Sequence, residues 1–440
     1  MRYENGKSAI LTFLILVSIV LTWNLWTYQP NFDIMENANT VEEVTLKEKR
    51  ELHQIISPDL VLFHSNNQHF GTTSAVDLDK IMNEIRKWSI YDVKDFTENV
   101  EDIKELVHGN GNAELVFPAD VPIEIYRGVL KFEEKKIPAF NFNRMVIDVD
   151  NSEKGNGTVY FVSSDYQHVY ISHISPSLLN EFNRDFFKNA EQYQRYFSFE
   201  ATEQRMVFIP DGKLEMMEYT YLPVVLNSEA FKEALFSYPN FVQRGTVSGV
   251  EEFSDVSSKM TVNNETNMML YVNPTGESNY VDDSYDLLKR SIDFINGHGG
   301  WTDPYRYVAK DEKRKSVKFR LYSIDGYPVF NETGMSEIEE VWGRDEITRY
   351  VRPNISLELP LTTEMVKLSL PTGSSALEFL KSRKNFKPEL LEQLVLGYRM
   401  SKDTSENKLI LLEPAWFYRY NQTWGQITKE DLGGLLRGLE

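Results

Sequence analysis

The sequence predicts an α+β fold, in which an N-terminal transmembrane helix precedes a multi-domain external region of antiparallel sheets packed with helices. Three observations lead to this prediction. One uncharged apolar segment, residues 9–26, is long enough to cross a bilayer. Several later segments repeat apolar residues every three or four positions, which is typical of helices covering a core. Others alternate apolar and polar residues between turn sequences, which is typical of antiparallel strands.

The first element is the apolar segment AILTFLILVSIVLTWNLW. At about 1.5 Å per residue it would reach about 27 Å, close to the hydrocarbon thickness of a membrane. Arg2 and Lys7 precede it, and no lysine or arginine follows before Lys47. The positive-inside rule therefore places residues 1–8 in the cytoplasm, a transmembrane helix at 9–28 and the bulk of the chain outside the cell membrane. A cleaved signal peptide is the alternative, although this segment is long for one.

One face of the predicted transmembrane helix is a candidate for contact with another helix. Ser18 and Thr22 lie four positions apart and share a face with Leu11, Ile15 and Leu25. Small residues at this spacing let two helices approach closely and supply hydroxyls for bonds between them. The alternative is that both hydroxyls bond to carbonyls of their own helix.

The composition narrows the range of functions. The chain has 440 residues and a net charge of −19, which disfavours binding to nucleic acid and favours protein partners. It contains no cysteine, so disulfides, thiolate metal sites and cysteine nucleophiles are excluded.

The external region begins with a predicted juxtamembrane linker, because residues 29–50 are polar and acidic. Residues 51–200 predict one α+β domain, and further helices and strands follow from residue 201 onward.

The first external domain combines helices with a hairpin. An amphipathic helix is predicted from one apolar face, formed by Leu78, Ile81, Met82, Ile85 and Trp88. The segments RMVIDVD and VYFVSSDYQHVYIS predict strands, and the second should turn near Ser164 and Asp165. SPSLLNEFNRDFFKNAEQYQRYF predicts a second helix that continues in register to Tyr193.

The later domains repeat one pattern, a helix followed by meandering strands, near 284–330 and 374–420. In the first copy, the strand SVKFRLYSIDGYPVF alternates apolar residues with Lys318 and Arg320, which predicts one solvated face. In the second copy, Ser375 and Glu378 form a capping-box pattern at the start of a helix. QLVLGYRM and KLILLEPAWFYRY then predict a hairpin.

A search for catalytic and metal-binding motifs is negative. The chain contains no GxxxxGK[ST], GxGxxG or HExxH segment. The pairs His64/His69 and His168/His173 are each five positions apart, and we expect polar surface residues at both. Carboxylate dyads of glycosidases stay open, because their members can be distant in sequence. We therefore predict no catalytic, cofactor-binding or metal-binding residue.

The segment SIDFINGHGGW resembles an oxyanion-hole loop, but no G-x-S-x-G elbow accompanies it. A helix ending is the better interpretation, with Gly297 in the left-handed conformation and Gly299 and Gly300 forming the exit. We expect a structural role for His298, which would interact with the helix dipole when charged, and packing of Trp301 where the chain turns back.

Several segments together resemble the YycH family, the extracytoplasmic regulatory proteins of the YycFG (WalRK) two-component system of Gram-positive bacteria. The resemblance extends from the anchor to the last strands. It rests on five segments: FNFNRMVID (140–148), IDFINGHGGW (292–301), DGYPVFN (325–331), VWG (341–343) and the terminal LGYRM…LEPAWFYRY…W. Within IDFINGHGGW the signature residues are Phe294, Asn296, Gly297, His298, Gly299, Gly300 and Trp301.

The resemblance implies a single-pass protein without catalytic residues or cofactors, whose external part has three domains. We place these α+β domains at 51–200, 201–368 and 369–440, with an alternative position near residue 300 for the second boundary. The resemblance also implies association with YycI, which has the same membrane layout and a fold similar to the C-terminal two domains, and with the sensor histidine kinase YycG (WalK). Contacts between transmembrane helices would modulate the kinase and so cell-wall metabolism genes. The alternatives are an exported enzyme acting on the cell wall and an external ligand-binding sensor or inhibitor module.

Overall fold

The computed structural model describes residues 17–18, 49–150, 157–274, 284–344, 346–403, 408–428 and 431. Residues 1–43 and 44–440 form two separate units. In the first unit, Val17 and Ser18 are helical and exposed. The rest of the predicted transmembrane helix, with Leu11, Ile15, Thr22 and Leu25, lies outside the described residues. Within the described ranges, no helix is long and apolar enough to span a membrane.

The helices of the second unit are short and amphipathic, and their apolar faces cover sheets. Their bounds are α1 (Leu52–Ile55), α2 (Ala75–Ile85), α3 (Ile103–His108), α4 (Ile123–Tyr126), α5 (Pro176–Asp185), α6 (Ser228–Leu235), α7 (Ser284–Gly297) and α8 (Gly373–Ser382).

The first ten strands form one mixed sheet in the order β10-β9-β2-β1-β4-β6-β7-β8-β3-β5. All neighbours in it are antiparallel except β3 and β5. The bounds are β1 (Leu60–Ser65), β2 (Gln68–Thr72), β3 (Ser89–Asp95), β4 (Asn112–Pro122), β5 (Lys131–Phe132), β6 (Asn141–Asp148), β7 (Gly157–Val162), β8 (Val169–Ile174), β9 (Gln194–Glu200) and β10 (Met206–Pro210).

Helices α2 and α5 cover this sheet, as their apolar periodicity predicts. Leu78, Ile81 and Ile85 of α2 are at most 1% exposed, and the Trp88 ring meets the edge of Phe182 at 5.6 Å. The predicted hairpin is confirmed, because β7 pairs with β8. Helix α5 is shorter than predicted: it ends at Asp185, a 3₁₀ segment follows over Phe187–Gln192, and β9 begins at Gln194.

The remaining strands form an eight-stranded sheet, a six-stranded sheet and one pair of two-residue strands. Their bounds are β11 (Leu214–Tyr221), β12 (Val224–Val225), β13 (Gln243–Val247), β14 (Val250–Ser254), β15 (Lys259–Asn263), β16 (Met268–Val272), β17 (Tyr305–Asp311), β18 (Ser316–Leu321), β19 (Val329–Phe330), β20 (Glu337–Trp342), β21 (Ile347–Pro353), β22 (Ile355–Ser356), β23 (Val366–Leu370), β24 (Leu391–Lys402), β25 (Ile410–Tyr420) and β26 (Thr423–Ile427).

The eight-stranded sheet has the order β13-β14-β15-β16-β21-β20-β18-β17, and α7 packs on β18. The six-stranded sheet has the order β19-β24-β25-β11-β23, with β26 on β25. The predicted hairpin of β24 and β25 is confirmed. Strands from both sides of the predicted boundary at 368 share this second sheet, and the β9–β10 hairpin spans the predicted boundary at 200. The domain boundaries stay a prediction.

Two local predictions are wrong. Arg320 does not lie on a solvated face: it is 8% exposed, pairs with Glu337 and covers the ring of Phe330. A guanidinium can be buried there because a carboxylate and an aromatic face replace its water. Helix α8 has no capping box at Ser375. It starts earlier than predicted, and Thr372 is the N-cap, whose hydroxyl accepts the Ser375 backbone N–H.

Candidate functional site: the end of helix α7, a large cavity and a histidine cluster

The signature residues 294–301 lie together where α7 ends. The Gly300 N–H donates to the Ile295 carbonyl at 2.8 Å, which is the six-residue closure of a Schellman ending. Gly299 and Gly300 have φ values of +103° and +68°, so these two glycines supply the left-handed conformation. The prediction that Gly297 is left-handed is wrong, because Gly297 is the last helical residue.

His298 is part of the packing of this helix end. Its ring stacks on Phe294 with centroids 4.1 Å apart, and its Nδ1 lies 2.9 Å from the Phe294 carbonyl oxygen. Burial lowers the pKa of His298, so the ring is neutral at pH 7 and donates Nδ1–H to that carbonyl. The predicted interaction of a charged imidazole with the helix dipole is therefore replaced by a neutral hydrogen bond.

Asn296 attaches the start of the external unit to α7. Its Oδ1 accepts the Arg50 backbone N–H at 3.0 Å, and its Nδ2 donates to the Arg50 carbonyl at 3.3 Å. The same Oδ1 accepts the indole N–H of Trp301 at 2.8 Å. The Asn296 amide thus both accepts from and donates to the Arg50 backbone, as an adjacent β-strand does, although the two residues are 246 positions apart in sequence.

The loop after α7 is held from the opposite side by Arg352. This guanidinium is fully buried and donates to the Gly300 carbonyl at 3.1 Å and to the Tyr350 hydroxyl at 2.9 Å. Trp301 is 3% exposed and packs edge-on against Phe319. The helix end is therefore a rigid point to which the chain arriving from residue 49 is fixed.

Other segments that carry the family resemblance meet at a second place, a cavity of about 1530 Å³. It lies between the ten-stranded sheet, which contributes Tyr196 and Phe208, and the six-stranded sheet. One wall is aromatic: Phe330 stacks on Phe417 at 4.0 Å and contacts Trp424 at 4.9 Å. These rings come from DGYPVFN and from the terminal segments, which are far apart in sequence.

A third site is a buried histidine cluster in the ten-stranded sheet, which we define as His64, His69, His108, Glu114 and Arg144. Strands β1 and β2 place His64 directly opposite His69, with their Nδ1 atoms 2.8 Å apart. Glu114 comes from β4, and His108 is the last residue of α3. The expectation that His64 is a surface residue is wrong, because it is 1% exposed.

Glu114 is the centre of this cluster. Its Oε2 lies 2.9 Å from His108 Nδ1 and 3.3 Å from His64 Nε2, and its Oε1 accepts Arg144 Nε at 2.6 Å. Burial alone would raise the pKa of Glu114, but His108, His64 and Arg144 hold it well below its usual range. The carboxylate is therefore ionised although it is fully buried.

Burial lowers the pKa of His64 and, to about 4, that of His69, so both are neutral at pH 7. Three ligand-type atoms, one each from His64, His108 and Glu114, lie within 4.8 Å of one another. One partial signal of this cluster was visible in the sequence, the close pair His64/His69 in HSNNQH. His108 and Glu114 carried none, because only the α3–β4 connection and the sheet pairing bring them to the hairpin.

Family models describe two parts of the chain. The N-terminal domain of YycH proteins matches residues 4–191, and the C-terminal domain of YycH proteins matches residues 204–432. The "Two-component system WalR/WalK regulatory protein YycH" of Bacillus subtilis (strain 168) is 26% identical over 451 aligned residues, which cover 98% of this chain and 97% of that protein.

A solved structure has the same fold. The crystal structure of YycH from Bacillus subtilis superposes with a TM-score of 0.73 and 22% identity, covering 87% of this chain and 99% of that one. The two chains thus share an overall fold.

Proposed function

The chain belongs to the YycH family, and we propose that it is a membrane-anchored, extracytoplasmic regulator of the WalR/WalK two-component system. Together with a YycI-like protein it modulates the sensor histidine kinase YycG (WalK) and so controls genes of cell-wall metabolism. The observation that carries this proposal is the match over 98% of the chain to a relative that is named as a regulatory protein of that system. The role is non-enzymatic and uses no cofactor.

The mechanism that we propose acts within the bilayer. The predicted helix at 9–28 packs against the transmembrane helices of the kinase through the face containing Ser18 and Thr22. A kinase that exchanges between two helix arrangements responds to any partner that binds one arrangement better. A difference of about 1.4 kcal/mol changes the ratio of the two states about tenfold.

The attachment of Arg50 to Asn296 supports a mechanical link to this helix. The predicted linker at 29–50 ends at the residue whose backbone is bonded to the end of α7. A displacement of the external unit, caused by the YycI-like partner or by a signal, would therefore move the end of the linker with it. Residues 201–440 are the part for which we propose similarity to YycI.

The decisive test replaces the anchor. Full-length chain and a version with an unrelated transmembrane helix in place of residues 9–28 are each co-purified with YycG and with the YycI-like protein. We expect both versions to retain the YycI-like partner and only the native anchor to retain the kinase. Equal recovery of the kinase by both versions would show that the membrane-contact mechanism is wrong.

A finer test changes the candidate face alone. Ser18→Leu combined with Thr22→Leu, at unchanged protein level, should alter the output of a WalR-dependent reporter, because larger side chains keep the two helices apart. Val20→Leu, on the opposite face of the predicted helix, is the control and should leave the reporter unchanged. A reporter that ignores both changes would exclude this face.

The cavity of about 1530 Å³ favours a second candidate function, an external ligand-binding sensor. Its wall of Phe330, Phe417 and Trp424 suits a ligand with a flat apolar face. Native mass spectrometry with soluble peptidoglycan fragments tests this role. A fragment retained by the chain and lost in Phe330→Ala supports it, and retention of no fragment contradicts it.

A further inference from the structure

The histidine cluster has an arrangement of donor atoms that the regulatory role does not use. His64 Nε2, His108 Nδ1 and Glu114 Oε2 point at one another from β1, α3 and β4. The Glu114 side chain is fully buried, and those of His64 and His108 are 1% and 6% exposed. Three atoms of types that bind metal ions therefore converge at one buried place in the sheet.

We propose that His64, His108 and Glu114 bind a zinc ion. Zinc bonds of about 2.0–2.1 Å to nitrogen and oxygen place neighbouring ligands of a tetrahedron about 3.3 Å apart. Glu114 Oε2 lies 3.3 Å from His64 Nε2 and 2.9 Å from His108 Nδ1, so small side-chain adjustments suffice. Two imidazoles with one carboxylate are an established zinc ligand set, in which the fourth position is left to water.

Binding requires a change in the positions of the ring protons. Without zinc, His64 Nε2–H and His108 Nδ1–H donate to Glu114 Oε2. With zinc, the ligating nitrogens are bare, and each ring carries its single proton on the other nitrogen. That nitrogen of His64 is Nδ1, which lies 2.8 Å from His69 Nδ1 and donates to it.

Arg144 prepares Glu114 for this role as a positioning residue. Its Nε–H donates a hydrogen bond to Glu114 Oε1 at 2.6 Å, which leaves Oε2 as the oxygen for the metal. The guanidinium also lies over the Tyr166 ring at 4.9 Å, which fixes its own orientation. Partners of this kind, outside the ligand set, orient metal ligands and tune affinity.

The surroundings provide both cover and a route of entry. The ring of Phe208 lies 5.3 Å from His64 and 5.0 Å from His108, and Phe208 also lines the large cavity. His69, which contacts His64, is only half-buried, so the cluster comes near the surface at this residue. Imidazole ligands select zinc over magnesium and calcium, which prefer all-oxygen sites. A bound zinc ion would join α3 to β1 and β4.

Metal titration of the purified full-length chain tests this proposal. After removal of metal with a chelator, Zn²⁺ or Co²⁺ is added, and binding is followed by calorimetry and by the visible absorption of tetrahedral Co²⁺. We expect one equivalent to bind and the thermal midpoint to rise with Zn²⁺. Mg²⁺ should produce neither effect.

Two variants and one control connect the metal to the site. His108→Asn and His64→Asn should each weaken Zn²⁺ binding by more than about 100-fold, because loss of a ligand exceeds the effect of losing an outer partner. His168→Asn, at an exposed histidine outside the cluster, should bind as the unchanged chain does. His108→Asn keeps the proposal testable should His64→Asn not fold, since His108 lies at a helix end.

Three outcomes would overturn the site: no Zn²⁺ bound, Zn²⁺ bound equally by His108→Asn, or Zn²⁺ bound without a rise in the thermal midpoint. The cluster would then be a hydrogen-bond network alone. Because the readout is metal binding, failure here leaves the kinase-regulator proposal untouched, and failure of that proposal leaves the zinc site untouched.

Discussion

Two fully buried glutamates of this protein have opposite ionisation. Glu114 lies on β4 of the ten-stranded sheet and Glu340 on β20 of the eight-stranded sheet, and each is 0% exposed. The pKa of Glu114 is held well below its usual range by His108, His64 and Arg144 despite its burial. Burial raises the pKa of Glu340 well above its usual range, because its hydrogen-bond donors Ser291 and Trp342 are neutral and the attraction of Arg352 offsets the burial only in part.

The difference shows that partners, and not burial, decide the charge of an interior carboxyl group. Glu340 accepts the Trp342 indole N–H at 3.2 Å, and that same N–H donates to Ser291 at 2.9 Å. These groups join α7 to its sheet without net charge. The histidine cluster instead holds an ion pair beside three imidazoles. The groups around Glu340 therefore fasten the fold as neutral partners, whereas the histidine cluster keeps a charged carboxylate in the interior.

The largest effect is expected for Glu114→Gln. This change leaves the Arg144 guanidinium buried without its counter-ion, which costs about 3–5 kcal/mol of unfolding free energy. Urea unfolding of the chelator-treated chain at pH 7 measures the loss. The matched control is Glu339→Gln, whose partner Arg349 is 45% exposed, and it should cost at most about 1 kcal/mol. Equal costs for the two changes would contradict the central place of Glu114.

The next largest effect is expected for Asn296→Leu. It removes the acceptor of the Arg50 and Trp301 N–H groups and the donor to the Arg50 carbonyl. Because two N–H donors are left unsatisfied, we expect the unfolding free energy to fall by about 2–4 kcal/mol, measured as a lower urea midpoint. Asn83→Leu, at an exposed position of α2, should change stability by at most about 0.5 kcal/mol. A stable Asn296→Leu chain would mean that the start of the external unit is not fastened here.

The sequence predicted those parts of the fold that depend on local periodicity. Helix α2, the β7–β8 hairpin and the β24–β25 hairpin follow from residues close together in the chain. The ending of α7 was also visible, although the left-handed residues are Gly299 and Gly300 and not Gly297. A Schellman ending needs a helix length known to one residue, which periodicity does not provide.

The contacts of the sites could not be predicted in the same way. Asn296 bonds to Arg50 through a contact between a helix end and a segment 246 residues away, and Glu114 bonds to Arg144 through a pairing of two strands. No local pattern specifies either contact. Arg320 and His64 were expected in solvent because charged and polar residues usually are. Each is buried because a specific partner, Glu337 or Glu114, comes from a distant strand.

A smaller effect is expected for His298→Ala. The change removes one neutral hydrogen bond to the Phe294 carbonyl and one stacked ring, so we expect a loss of about 1 kcal/mol. At normal protein level the WalR-dependent reporter should not change, because His298 serves the helix end and not a reaction. His168→Ala is the exposed control. A chain of unchanged stability with a lost reporter response would give His298 a functional role.

The smallest change in unfolding free energy near pH 5 is expected for Glu340→Gln, because the glutamine side chain is neutral like the protonated glutamic acid. Since the folded pKa of Glu340 lies above the unfolded value of 4.5, its contribution is fully present below pH 4.5 and is lost as pH rises towards the folded pKa. Glu340→Gln should therefore gain stability over the unchanged chain as pH increases from 5 to 8. Glu114 has the opposite sign, because its depressed pKa makes its contribution present above pH 4.5 and lost on acidification. The measurement is the urea midpoint of both chains at several pH values between 5 and 8. A constant difference between the two midpoints would mean that Glu340 is ionised in the folded protein. The contrast between Glu340 and Glu114 would then be wrong.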